Sequence, residues 1–244
     1  MQNPKTRKRA WLWIALAVVL IAAAGAAFWL LDDYDASEPA MAALEDDAAV
    51  QVAIGSSRID FVPPAPRAGL IFYPGGKVEP AAYAPLLRML AEDGILCVLA
   101  EMPANLAVLD TNAADGVRED YPQITDWYLC GHSLGGAVAS IYASKHADEF
   151  RGLILLAAYA SEDLSQTGLH VLSVYGSEDG VLNMEKYEAA KALLPADSAE
   201  VVIRGGCHAY FGDYGAQDGD GEPTVTRGEQ LAQTVSAIDT FLFR

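Results

Sequence analysis

The stretch Gly131-His132-Ser133-Leu134-Gly135, with Gly136 behind it, limits what this chain can fold into more than any other. An apolar run, Trp127-Tyr128-Leu129-Cys130, leads in, and a small-residue helical pattern, Ala137-Val138-Ala139-Ser140-Ile141-Tyr142-Ala143, leads out. Strand, sharp turn and helix therefore follow one another directly. In that setting the Gly-x-Ser-x-Gly spacing is the pattern of a nucleophile elbow, a strained turn that lifts a serine hydroxyl above a sheet edge. Glycines are needed on both sides so that the backbone can bend and approach its neighbours closely. The hydroxyl then lies at the positive end of a helix, where negative charge on a reacting oxygen is stabilised.

The surrounding pattern alternates in type. Continuous apolar runs predict buried strands at Leu70–Tyr73, Ile95–Leu99, Trp127–Cys130, Leu153–Leu156, Val171–Tyr175 and Val201–Ile203. Helical spacing predicts helices at Tyr83–Asp93, Leu134–His146, Met184–Leu194 and Arg227–Phe243, the last with Leu231, Val235, Ile238 and Leu242 on one face. Before them, Val50, Val52 and Ile54, a turn at Gly55-Ser56, and Ile59 and Phe61 form a hairpin signal that Pro63, Pro64 and Pro66 end. Strands buried on both faces with helices between them mean an α/β fold, a mostly parallel sheet covered on each side.

The N-terminus has a different composition. Lys5, Arg7, Lys8 and Arg9 fall in residues 1–9, read as a cytoplasmic basic segment. An uncharged apolar run occupies residues 10–31, long enough as a helix to cross the ~30 Å hydrocarbon core of a bilayer. Trp11, Trp13 and Trp29 lie near its ends, as at membrane interfaces, and Asp32, Asp33 and Asp35 follow. These features predict a single transmembrane signal anchor, N-terminus inside and the remainder outside the cytoplasm. A cleaved secretory signal is the alternative, with small-residue sites at Ala22-Ala23-Ala24 and Ala24-Gly25-Ala26. Residues 32–49, acidic and alanine-rich, read as a tether, leaving residues 50–244 as one domain. The 16 basic and 33 acidic residues give a net charge of −17, which argues against a nucleic-acid partner.

A serine hydroxyl is a poor nucleophile near neutral pH and needs a base, which in turn needs an orienting carboxylate. Asp179, in Tyr175-Gly176-Ser177-Glu178-Asp179-Gly180, follows one predicted strand; His208, in Gly205-Gly206-Cys207-His208-Ala209, follows the next. Glu178 is the second candidate acid. Of the four histidines, His146 ends a helix, His170 precedes a strand, and the His132 side chain is expected to point away from the serine's partners.

With Ser133, Asp179 and His208 in that order, residues 70–242 resemble the α/β-hydrolases, most of all the small, lid-poor bacterial members near the dienelactone-hydrolase and carboxylesterase branches. The resemblance implies a catalytic triad of those residues and an oxyanion hole of backbone N–H groups from Leu134 and from the loop Tyr73-Pro74-Gly75-Gly76-Lys77, with Gly76 and Lys77 as the loop's candidates. Pro74 stands where the family has histidine, so the hydrogen bonding within this loop must differ. The implied activity is serine hydrolysis of carboxylic esters of small molecules through an acyl-enzyme, without cofactor or metal. An acyltransferase and a catalytically silent binding protein of the same fold are the alternatives.

Only residues 157–169 separate the sixth and seventh strands, too few for a helical lid domain. Tyr210 and Phe211 are candidates for the acyl pocket or for packing beneath their loop, and Asp218, Asp220 and Glu222 read as a solvated loop. The three cysteines, Cys97, Cys130 and Cys207, read as buried small hydrophobes without zinc spacing. In the family's strand order one strand separates Cys97 from Cys130, about 9–10 Å at the usual strand spacing. That is beyond the ~7 Å reach of a disulfide, so no bridge between them is expected.

Overall fold

The computed structural model describes residues 33–243, together with residues 13, 17–21 and 25. The chain divides into two units, residues 1–33 and 34–244. Most of the 10–31 run, and with it the expected spanning helix, lies outside the described residues. Among the described residues no helix is long and apolar enough to cross a membrane.

Strands β1 (Gln51–Ile54), β2 (Arg58–Val62), β3 (Ala68–Tyr73), β4 (Ile95–Ala100), β5 (Trp127–His132), β6 (Gly152–Leu156), β7 (His170–Gly176) and β8 (Ala199–Ile203) form one sheet. Their order is β1-β2-β4-β3-β5-β6-β7-β8. The β1–β2 hairpin and the β2–β4 pair are antiparallel, and every pair from β4 onward is parallel. Hydrophobic alternation explains how the sheet is covered. Leu70 and Phe72 of β3 face one side, packed with Leu86, Leu87 and Leu90 of helix α2 (Ala84–Glu92) and Ile238 of helix α6 (Arg227–Leu242). Ile71 and Tyr73 face the other, with Val138, Ala139 and Tyr142 of helix α4 (Leu134–Lys145). Full burial of one such leucine is worth about 1.5–3 kcal/mol. Helix α6 starts where the chain supplies a capping box: Thr226 accepts from the Glu229 N–H, and Glu229 returns the bond to Thr226.

The remaining helices are short: α1 (Glu38–Ala42), α3 (Val117–Asp120) and α5 (Met184–Ala190), the last running on into a 3-10 turn at Lys191–Leu193. α1 corrects the reading of a loose tether, because from Tyr34 onward the acidic segment is built into the domain. Tyr34 donates its N–H to the Lys77 carbonyl at 2.7 Å and accepts from the Glu79 N–H at 2.9 Å. Ser37 donates to the Asp213 carbonyl at 2.8 Å and caps α1, burying Ala40. The side chains of Glu45, Asp46 and Asp47 stay exposed, and Asp47 finds local donors. Asp47 takes the N–H groups of Ala49 and Val50 and pairs with Arg88 at 3.0 Å.

All three cysteines are unpaired and buried. Cys97 and Cys130 pair in register with Leu70 and Phe72, on opposite sides of β3, so the strand between them keeps them apart. Burial pushes the Cys97 and Cys130 thiols far up and the Cys207 thiol up to about 12. Thiol titration of the unfolded, unreduced protein should therefore count three free groups, and the native protein should react far more slowly. A count below three would contradict the structure.

Candidate active site

The strand order reverses around β3, with β4 on one side and β5 on the other, and the crevice at the carboxyl ends of a parallel sheet opens at such a point. Tyr73 ends β3 opposite Gly131, and two residues further on β5 gives way to α4 at Ser133. Ser133 has φ 52° and ψ −122°, a conformation costing a non-glycine residue on the order of 1–3 kcal/mol. Its N–H is fixed to the Leu156 carbonyl at 2.9 Å. The turn is possible because α4 lies against β3: a Cβ on Gly135 would come 2.2 Å from the Tyr73 carbonyl oxygen.

The acid and the imidazole come from the loops after β7 and β8. Asp179 is anchored through Oδ1, which accepts the N–H groups of Val181 at 2.9 Å and Leu182 at 2.7 Å. Its Oδ2 accepts from His208 Nδ1 at 2.9 Å, and both side chains are 1% exposed. A carboxylate can only accept, so Nδ1 carries the proton and the neutral ring has its free electron pair at Nε2. That nitrogen is buried without a hydrogen-bond partner. Glu178 is exposed and hydrogen-bonded to Ser177, so the imidazole's carboxylate partner is Asp179. His146 pairs with Glu149 and His170 with Asp197, both away from this cluster.

His132 differs from expectation. Its ring lies 4.6 Å from that of His208, centroid to centroid, rather than away from it. Burial, with the neighbouring His208 adding to it, holds its pKa well below the usual imidazole range. Its Nδ1 lies 2.8 Å from the Tyr83 hydroxyl, which also accepts the Gly75 N–H at 2.9 Å. The Tyr83 hydroxyl thereby bridges the Gly75 N–H and the neutral His132 ring. Tyr83 thus supplies the anchor that the loop requires once Pro74 stands in place of histidine.

The oxyanion-loop candidates separate. Lys77 is removed as a donor, because its N–H is committed to the Asn105 carbonyl at 2.7 Å. The N–H groups of Gly76 and Leu134 donate no hydrogen bond to any described residue. The two residues adjoin, since a Cβ on Gly76 would come 2.8 Å from Leu134 Cδ2. Leu134 is the first residue of α4, so its N–H is one of the unsatisfied donors at a helix start.

Ser133 and His208 line one cavity of about 240 Å³ with Leu134, Ala137, Ala157, Ala158, Tyr159, Val181 and Leu182. Its wall comes from the segments that follow β6 and β7 and from the first turn of α4, positions that apolar periodicity does not single out. The structure excludes Tyr210 and Phe211 from this cavity. Phe211 is fully buried beneath the site, 5.6 Å from the His132 ring, and Tyr210 stacks with Arg227. Residues 157–169 form neither helix nor strand. Among the described residues no group of three or more His, Cys, Asp or Glu side chains is arranged to hold a metal ion.

A model described as "Alpha/beta hydrolase family" matches residues 69–232. No curated protein matches the sequence significantly. Solved structures of similar shape include TT1662 from Thermus thermophilus, at TM-score 0.59 and 19% identity over 80% of this chain and 99% of that one. A dienelactone hydrolase from Anabaena variabilis aligns at TM-score 0.58 and 14% identity, covering 80% of this chain and 99% of its own. A monoacylglycerol lipase from Paleococcus ferrophilus aligns at TM-score 0.58 and 14% identity, covering 78% and 99% respectively. At such identities the likeness is one of fold.

The pair beneath the site yields two expectations. Tyr83→Phe leaves the buried Gly75 N–H and His132 Nδ1 unpaired and should cost about 1–3 kcal/mol in chemical denaturation. Because the folded-state pKa of His132 is depressed, its neutral form adds stability that is complete above the unfolded value of about 6.5 and lost as pH falls below it. Denaturation midpoints should drop from pH 7 to pH 5, and His132→Gln should flatten that dependence; an unchanged slope would contradict the assignment.

Proposed function

The chain belongs to the alpha/beta hydrolase family, and on that premise we propose that it is a serine hydrolase that cleaves carboxylic esters of small molecules. Ser133 is the nucleophile, His208 the general base and later acid, and Asp179 the group that holds the imidazole. Ser133 Oγ attacks the ester carbonyl carbon as His208 Nε2 takes its proton, and Asp179 stabilises the imidazolium. The backbone N–H groups of Gly76 and Leu134 receive the charge on the carbonyl oxygen, a donation worth about 10²–10³ in rate for each. Collapse returns the proton to the departing alcohol and leaves an acyl-enzyme. Water, deprotonated by the same imidazole, then releases the acid.

One observation carries this reading. A buried imidazole, oriented by a carboxylate and with its other nitrogen unpartnered, shares a cavity with a serine on a strained strand-to-helix turn. A silent binding protein has no use for that strain. The walls of the cavity, apart from Ser133, His208 and the Tyr159 side chain, are alanine, valine and leucine, which suits an uncharged, short acyl group. The similar structures include a lipase and a dienelactone hydrolase, in keeping with hydrolytic chemistry on this fold.

The same proposal places the catalytic domain outside the cytoplasm, held at the membrane by residues 10–31. The support is the uncharged run between Arg9 and Asp32, in which Trp13, Val18, Val19, Leu20 and Ile21 are each at least 60% exposed.

A fluorophosphonate should label the full chain at Ser133, and Ser133→Ala should abolish labelling. Asp179→Asn should lower kcat on a short-chain ester by about 10⁴-fold, since the imidazole then takes the wrong tautomer. Absence of labelling in the native protein would point to the silent form of the fold. For the anchor, alkaline carbonate should leave the protein in the membrane fraction; a mature N-terminus at Gly25 or Ala27 by mass spectrometry would show a cleaved signal instead.

A further inference from the structure

The loop after β8 returns to the site in a way that its composition conceals. Asp220 accepts hydrogen bonds from four backbone N–H groups: His208 at 3.1 Å, Gly180 at 3.1 Å and Gly221 at 2.9 Å through Oδ1, and Ala209 at 2.8 Å through Oδ2. Gly180 directly follows the acid of the site, while His208 and Ala209 are the imidazole residue and its neighbour. One carboxylate therefore spans the two loops whose side chains must meet.

The backbones themselves touch at the same place. A Cβ on Gly221 would come 1.9 Å from the Glu178 carbonyl oxygen, so only glycine allows the 219–221 segment to lie against the loop that carries Asp179. Burial works to raise the Asp220 pKa, but the four N–H donors outweigh it and hold the carboxyl below its usual range, so the group is ionised near neutral pH.

We propose that Asp220 is a positioning residue that clasps the Asp179 loop to the His208 loop, fixing the acid–imidazole pair. This rests on the serine-hydrolase reading for its catalytic consequence, although the clasp itself does not. Neither Asp179 nor His208 lies on a rigid element: each follows a strand end, and the sheet alone fixes only the start of each loop. Their hydrogen bond depends on the separation of the two loops, which the Glu178 N–H to Gly206 carbonyl and Gly205 N–H to Ser177 Oγ bonds fix near the strands and Asp220 fixes beside the pair itself. A misplacement of about 1 Å at such a pair costs on the order of 10²-fold in rate. Asn at position 220 would point an amide N–H at the Ala209 N–H, so the isosteric change breaks the clasp without altering volume.

The test uses the full chain. Wild type and Asp220→Asn are compared for the rate of fluorophosphonate labelling at Ser133, for kcat and KM on a short-chain ester, and for the far-downfield proton resonance of the His208–Asp179 hydrogen bond. Asp220→Asn should slow labelling and lower kcat about 10²-fold with KM little changed, and the downfield resonance should broaden or vanish in protein that remains folded by circular dichroism. Gly221→Ala, which pushes the loop off the Glu178 carbonyl, should do the same. Labelling within two-fold of wild type with the resonance intact would overturn the proposal. Should both variants fail to fold, hydrogen exchange in wild type decides: slow exchange at the Gly180, His208 and Ala209 amides supports the clasp, and free exchange refutes it. If wild type itself is not labelled, the serine-hydrolase reading fails, while the resonance and exchange measurements still report on the clasp.

Discussion

The closeness of two backbones at Gly135 is the constraint on which the rest of the site depends. Helix α4 can begin immediately after Ser133 only because nothing larger than a hydrogen stands between it and the carbonyl of Tyr73. That approach settles three things together. Ser133 is held in its strained conformation, the unsatisfied N–H groups at the start of α4 sit above the sheet edge, and Leu134 lies against Gly76 of the loop after β3. The strain is sustained because the turn is over-determined, by the Ser133–Leu156 hydrogen bond on one side and by buried small residues of α4 on the other.

Beneath this turn the polar groups are placed in a low-dielectric setting, where each bond that is made counts for more and each that is missing costs more. Tyr83 has a central position. It packs against Phe72 in the core and its hydroxyl joins the loop after β3 to His132, whose ring supports His208. The floor of the site is thus one connected cluster of rings and not a set of independent contacts. The neutrality of His132 matters for the ring above it, because a second positive charge 4.6 Å away would oppose formation of an imidazolium.

The strands were legible in the sequence because those buried on both faces appear as continuous apolar runs, and only their ends moved by one or two residues; β8, expected to be buried, is instead an edge strand with Val202 exposed. The placement of Ser133, Asp179 and His208 beyond the ends of β5, β7 and β8 was legible too, since each follows such a run. Groups recruited through backbone amides were not. Asp220 sits between glycines in an acidic stretch, and nothing local distinguishes an aspartate that gathers three distant N–H groups from a solvated one. Tyr83 opens a helix and reads as core, while its hydroxyl's partners lie on other segments. Tyr210 and Phe211 failed as pocket residues because aromatics beside a strand end fit a cavity wall and a buried floor equally well, and the 3-10 turn Ala209–Phe211 buries Phe211. Composition misled at residues 34–49, where acidity concealed a segment hydrogen-bonded to the domain.

The three isolated thiols have a consequence for where this domain can mature. Thiol–disulfide exchange proceeds through the thiolate, and these groups are both enclosed and held protonated. The fold is therefore indifferent to ambient redox potential. It needs no oxidoreductase to reach its native state and gains no covalent brace in an oxidising compartment, so its durability comes from packing and hydrogen bonding.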